Sequence, residues 1–500
     1  MSPLTYIFGL PLLTALVIVL IPRSYKVVIR GLALLGSFIA MCGAICVFVN
    51  FNSAPVENGF RYVQKIPWVE SLGISYHVGV DGINLGLILM GAVVSFAAVC
   101  ISNHIKTREK EFYILLLIMS GGILGAFASL DMFFLYFLHE LALVPTFIMI
   151  GVWGRGENKN YATFQITLYL SLGALLLLIG LIALYLQMPV DVRTFDIIEM
   201  TRYFKANSMA GNAQHLIFPF LLFGFGILVS LWPFHTWAPL GYASAPPATA
   251  MIHAGVLKKF GLYGLIRIAL PMMPGEAHNW MTLLSWLCVG NILWCGLVAI
   301  RQRDLNMLIG NSSVAHMGFA FLGIASLNLI GITGTVLIMV AHGLLAALTF
   351  ALSGYIANQI HSTKIEDMGG LLRAMPYIGT VMIMAMLAGC GLPGFASFPG
   401  ETLVLFGSWS KFQLITGLAI WGALVIAGVY MLRAIRNVWH GDRKWTDVSD
   451  AKSLWRKMPY ALLLAGLIIF GCFPRLLTDN IKKSLPDLLP SETMVAQIQK

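Results

Sequence analysis

The chain has 500 residues, of which 58% are hydrophobic and only 11% are charged, with a formal net charge of +10. A water-soluble globular protein carries about 25% charged residues, so this composition excludes one and points to an all-α polytopic membrane protein. The positive charge calls for no nucleic-acid partner, because membrane proteins collect lysine and arginine in their cytoplasmic loops.

About fourteen apolar runs are long enough to cross the hydrocarbon of a bilayer as helices. They fall near 3–22, 26–49, 80–103, 111–130, 131–153, 161–187, 213–236, 247–270, 279–299, 303–328, 332–358, 376–409, 411–440 and 457–474. The first run lacks a basic leading segment, and PRSYK leads straight from it into another apolar run, so it reads as a retained span rather than a secretory signal. The long gaps, 50–79 and 188–212, read as polar loops without a catalytic constellation, and His77, Asp81 and His215 as residues of the membrane interface.

If the loop after the first span is cytoplasmic, alternation gives that side about twice as many lysines and arginines as the other. Arg23, Arg108, Arg303 and Arg443 fall on the cytoplasmic side, and Arg61, Arg193 and Lys500 on the opposite side with both termini. The seven cysteines all lie in apolar spans without metal-ligand spacing, and no dinucleotide or phosphate-binding glycine motif appears, so the chain is expected to carry no cofactor of its own.

Against this apolar background a few ionisable groups stand out. Glu140 lies within the fifth span in FFLYFLHELALVPTF, Lys258 and Lys259 lie in the eighth, and Glu401 lies in the twelfth. A charge at the bilayer centre costs roughly 3 kcal/mol, so such residues are functional candidates by default, and together they read as a path for ions or protons. Two spans are interrupted in matching ways. The seventh runs through LWPFHTWAP with Pro233 and Pro239, and the twelfth through GLPGFASFPGE with Pro393 and Pro399. Proline removes a backbone donor and breaks the helix. Interrupted spans in corresponding halves of a membrane chain point to inverted repeats with a pathway between them.

The stretches FLHELALVPTFIMIGVWG, PFHTWAP, APPATAMIHAGVLKKFGLYGLIR, SSVAHMGFAFLGI, MVAHGLLAALTFALSGYI and GLPGFASFPGETLVLFGSW resemble the antiporter-like subunits of respiratory complex I. They are also similar to Mrp-type cation/proton antiporters and membrane-bound hydrogenases. The carboxylate at Glu401, where other branches usually place a lysine, resembles the M-type branch. The resemblance implies two inverted five-helix repeats with broken helices 7 and 12. It divides the chain into 1–110 (spans 1–3), 111–272 (spans 4–8), 273–441 (spans 9–13) and 442–500 (last span and tail).

The same resemblance implies proton-path roles for Glu140, Lys259, His316, His342 and Glu401. It also implies L-type and N-type membrane neighbours, a bacterial inner membrane, and NADH, FMN, iron–sulfur clusters and quinone in partner subunits. Imidazole suits a relay because its pKa of about 6.5 lets it take and release a proton near neutrality.

Departures from the family pattern are concentrated in the first half. Leu228 stands where the seventh span usually has the lysine that pairs with Glu140, Gln165 replaces a lysine in the sixth, and the motif WLPDAH reads WAPLGY. Lys258 is an additional lysine beside Lys259. The two are about 100° apart on a helix and face different ways, and Lys258 is expected to reach toward the seventh-span break and supply the missing charge. The alternatives are a sodium/proton antiporter of the Mrp type, a hydrogenase-linked relative, or a spacer that no longer pumps.

Overall fold

The structure, a computed structural model, describes residues 1–442, 444–445, 447–486 and 488. Arg443 and Lys500, assigned above to opposite sides, lie outside the described residues. The helices that cross are α1 (Pro3–Leu20), α2 (Lys26–Val49), α3 (Asn84–Ile101), α4 (Glu109–Ala128), α5 (Met132–Trp153) and α6 (Lys159–Leu186). After the short amphipathic α7 (Ile197–Ala206) come α8 (Gly211–Val229) and α9 (Trp237–Ser244), the two parts of the seventh span. The eighth span is α10, residues 247–272, helical throughout but widened into π turns at His253–Leu257 and Leu265–Ala269. Then follow α11 (Pro274–Arg301), α12 (Leu305–Ala325) and α13 (Leu329–Ile360). The divided twelfth span is α14 (Pro376–Gly389) and α15 (Ser397–Trp409), and α16 (Gln413–Trp439), α17 (Leu454–Cys472) and α18 (Arg475–Ser484) close the described chain.

Twelve helices are individually long and apolar enough to span. The remaining two crossings are α10, whose three cations lower its hydropathy, and the divided α14/α15, so the fourteen expected spans are accounted for. Both breaks fall in the fourth helix of a five-helix set, between α8 and α9 and between α14 and α15.

Burial sorts the helices. The most apolar stretch of α13 is wholly buried, and those of α12 and α3 nearly so, whereas α1, α2, α6 and α17 are buried over less than half of theirs. A helix that is apolar all round and enclosed is a core element. α13 therefore runs through the centre of the bundle, and α6 carries Phe164, Leu168, Leu172 and Leu175 on its outer face.

The gap at 50–79 is not a loop. It holds an antiparallel three-stranded sheet in the order β1 (Val56–Glu57), β2 (Phe60–Val69), β3 (Ile74–Val80). Glu57 pairs with Phe60 across Asn58 and Gly59, both at positive φ (49° and 83°). Asn-Gly is the dipeptide that a two-residue hairpin turn of this hand requires. The other gap, 188–212, contains α7, capped by Asp196, whose carboxylate accepts from the amides of Ile198 and Glu199.

The sheet and α7 are joined through Asp196, which lies 2.8 Å from His77 Nδ1 and 2.7 Å from Lys65 Nζ. Burial alone pushes its pKa up, but the hydrogen bonds from His77 and Lys65 outweigh it and hold the group at about 2, below its ordinary 3.8. A carboxyl depressed on folding stabilises above its unfolded pKa and loses that contribution as pH falls through its folded value. Asp196→Asn, which retains an N-cap oxygen, is expected to cost about 2 kcal/mol at neutral pH and nothing near pH 2. Thermal midpoints of the purified protein across this range check it. A gap between variant and wild type that does not narrow with acid would show that charge is not the cause.

Candidate functional site

Four of the ionisable residues singled out in the spans meet around α13. The π turn at His253–Leu257 makes the amide of Lys258 bond back to the carbonyl of His253 and presents the Ala254 carbonyl to the side chain of Lys259. Lys259 Nζ donates to that oxygen at 2.5 Å and lies 2.7 Å from His342 Nδ1, both side chains fully enclosed. Single π turns inside helices frequently mark functional sites, because they redirect side chains and release carbonyls.

From His342 the line continues to His316 on α12, with ring centroids 5.7 Å apart. His316 Nδ1 lies 2.7 Å from the carbonyl of Ser312, and its Nε2 is 3.0 Å from the carbonyl of Gly389. Gly389 ends α14, where the amides of Cys390, Gly391 and Leu392 bond back to the carbonyls of Met386, Leu387 and Ala388 while the Gly389 carbonyl faces His316. Glu401 on α15 brings Oε1 to 3.8 Å from the same Nε2. A cavity of about 10 Å³, the lower limit for one water, lies among His316, Gly389, Glu401 and Tyr430. Gly391 sits at φ +68°, and a Cβ there would stand 2.6 Å from Glu401 Oε2, so glycine is required where the break wraps the carboxylate. Four candidates thus form one line, Lys259–His342–His316–Glu401.

The other two candidates lie off this line. Lys258 points away from Lys259, as expected of adjacent helical positions. Its Nζ donates to Ser313 Oγ at 3.2 Å and stands 5.6 Å from the ring centroid of Tyr242 in α9. It does approach the seventh-span break, but no ion pair joins it to Glu140 among the described residues, because its side chain is directed to α12. Glu140 itself is not enclosed: 27% of its side chain is exposed on the outer face of α5, and its Oε1 lies 3.2 Å from His139 Nδ1. Leu228 is buried on α8, so the seventh span offers Glu140 no cation at that position.

Sequence reasoning passed over His253, which is fully buried between α9 and the lysine pair, and Ser312 and Tyr430, whose hydroxyls are 3.1 Å apart beside His316. The spacing of His253, five residues before Lys258, was the available signal. Among the described residues no group of three or more His, Cys, Asp or Glu side chains is arranged to hold a metal ion.

Comparison with known proteins agrees with this architecture. Residues 129–429 match the family described as NADH:quinone oxidoreductase/Mrp antiporter, TM. The chain is 30% identical over 490 residues to NADH-quinone oxidoreductase subunit M of Rickettsia bellii, covering 96% of this chain and 97% of that one. Its fold is similar to a chain of respiratory complex I from Thermus thermophilus, with a TM-score of 0.87, 24% identity, and coverage of 98% of this chain and 100% of that one. It is also similar to a chain of the Mrp complex from Dietzia, with a TM-score of 0.85, 17% identity and 99% of both chains covered. A fourteen-span bundle with two matched breaks, a family match that includes both breaks, and a full-length relative at this identity lead to one assignment: the chain belongs to the NADH:quinone oxidoreductase/Mrp antiporter transmembrane family.

Proposed function

We propose that this chain is the M-type, proton-translocating membrane subunit of an NADH:quinone oxidoreductase. It conducts protons, while NADH, FMN, iron–sulfur clusters and quinone are handled by partner subunits. The observation that carries this reading is the enclosed line Lys259–His342–His316–Glu401, which ends at the broken twelfth span. Spans 4–8 and 9–13 act as the two repeats, flanked by 1–110 and 442–500. The chain sits among L-type and N-type neighbours in a bacterial inner membrane, with both termini on the non-cytoplasmic side.

Transport follows from coupled titration. In a low-dielectric interior each protonation alters the proton affinity of its neighbours, so groups a few ångströms apart load and unload as a set. An electrostatic signal from redox chemistry elsewhere in the complex drives Lys259 to give up its proton to His342. His316 then passes it to Glu401, where the opened backbone and the small cavity provide the exit. Glu140, at the outer face of α5, is the end at which the neighbouring subunit is sensed.

The test is the ratio of protons moved per electron pair by the assembled complex in proteoliposomes. Glu401→Gln removes the terminal titrating group with little change in shape, and the ratio is expected to fall while NADH oxidation with an artificial acceptor persists. An unchanged ratio with unchanged quinone turnover would sink the pumping role.

A further inference from the structure

The seventh-span break is held from the other half of the protein. α8 ends at Ser230, whose backbone is left-handed (φ 72°), and the chain then turns through Leu231 and Trp232 before α9 begins. Non-helical backbone at membrane depth has to be satisfied by other parts of the protein. Here one side chain does it. Asn291 of α11 is fully buried; its Oδ1 accepts from the Trp232 amide at 2.8 Å, and its Nδ2 donates to the Ser230 carbonyl at 2.9 Å. Nδ2 also donates to the Val314 carbonyl of α12, at 3.2 Å. Both hydrogens of the amide are thereby used, one on the break and one on α12.

The surrounding backbone is arranged for close approach from both sides. Asn291 lies on a π turn of α11, Gly290–Trp294. A Cβ on Gly290 would stand 2.6 Å from the Trp232 indole, and one on Gly318 of α12 would stand 2.9 Å from the Asn291 Cβ. Glycine at both positions lets the break and α12 close on the same amide. Val314 follows Ser313, which accepts from Lys258, and lies two residues before His316 of the enclosed line. A side chain that served only to cap the break would need no reach to α12. The twelfth-span break is secured differently: the Ala396 amide bonds to the Leu467 carbonyl of α17, a backbone link to a helix outside both sets of five.

We propose that Asn291 is a positioning residue for proton transfer, a strut that fixes the seventh-span break against the segment of α12 carrying Ser313 and His316. It thereby joins spans 4–8 to spans 9–13. The assignment deepens the proton-conduction reading and rests on it. No proton passes through Asn291, because an amide side chain does not titrate. Its work is to keep two backbones in register, so that a movement of the break reaches the acceptor of Lys258 and the ring of His316 together. Without it, the Trp232 amide and the carbonyls of Ser230 and Val314 lose a buried partner, and each half relaxes separately.

The experiment compares Asn291→Leu, Asn291→Asp and the reference Glu401→Gln in proteoliposomes, at equal amounts of assembled complex. Leucine is similar in size but removes all three hydrogen bonds. Proton-coupled quinone reduction is expected to fall about tenfold, the effect of leaving buried polar groups unpaired, while NADH oxidation with an artificial acceptor persists. Asn291→Asp gives a readout that packing alone would not move. Its protonated carboxyl can accept from the Trp232 amide and donate to one carbonyl, whereas its ionised form donates to neither. Coupled turnover relative to wild type is therefore expected to be closest to native at acid pH and to fall about tenfold as the carboxyl ionises. Wild-type coupled turnover in Asn291→Leu, or a ratio of Asn291→Asp to wild type that does not change with pH, overturns the proposal; if the leucine variant fails to assemble, the aspartate variant decides. Pumping lost in Glu401→Gln but kept in Asn291→Leu overturns this assignment alone, whereas pumping kept in both overturns the conduction reading and this assignment with it.

Discussion

Lys259→Met is expected to lower proton-coupled quinone reduction about 100-fold, the lower end of what a positioned acid or base contributes. Methionine follows the same unbranched course through the core, so α10 keeps its packing, but the contacts to His342 Nδ1 and the Ala254 carbonyl are lost. Lys259→Arg is the more telling variant. A guanidinium preserves positive charge and donors but does not release a proton in a protein, so it is expected to fail as badly as methionine. If arginine supports near-native coupled turnover in the assembled complex, Lys259 acts as a fixed charge and the line through His342 does not conduct.

Arg267→Ala is expected to destabilise the subunit by about 3–5 kcal/mol, the cost of leaving one member of a buried ion pair alone. Arg267 lies on the second π turn of α10, 2.7 Å from Asp81, with both side chains almost fully enclosed. Its Nε donates to the Tyr263 hydroxyl, and its guanidinium lies against the Phe60 ring. Asp81 also accepts from the amides of Ile83 and Asn84 at the start of α3, so the pair ties α10, the sheet and α3 together. Adding Asp81→Asn removes the orphaned charge but retains an oxygen for those amides. The double variant Arg267→Met/Asp81→Asn should therefore assemble better than Arg267→Ala alone, as read by native gel and thermal midpoint. A single variant with an unaltered midpoint would show that the pair holds nothing.

Much of this architecture is legible in the sequence because hydrocarbon imposes a strong rule: a run of about twenty apolar residues must become a helix. Pro233, Pro239, Pro393 and Pro399 likewise announce the two breaks. The sheet at 50–79 was legible in principle through Asn58-Gly59, but its strands carry Arg61, Gln64, Lys65 and His77, and a search tuned to apolar runs passes over them. The π turns are a different case. Nothing in MIHAGVLKKF distinguishes a π turn from an α turn, although the turn lies where Gly255 lets α10 approach the Gly343 carbonyl of α13 closely. That turn decides which carbonyl faces Lys259 and where Lys258 points. The motif resemblance singled out Lys259, His316, His342 and Glu401, which the structure places in one line, whereas the expected pairing of Lys258 with Glu140 depended on side-chain directions that a sequence does not contain.

The exposure of Glu140 has an electrical consequence. The line from Lys259 to Glu401 is sheathed: the most apolar stretch of α13 is wholly buried, and the surrounding helices enclose the four side chains. Glu140 stands apart from that line, a carboxyl partly open at the outer wall of α5. Left against hydrocarbon, an ionised carboxylate costs roughly 3 kcal/mol, and a polar surface on an adjoining molecule recovers it. A polar surface set against α5 would therefore complete the insulation that the chain alone lacks at this point.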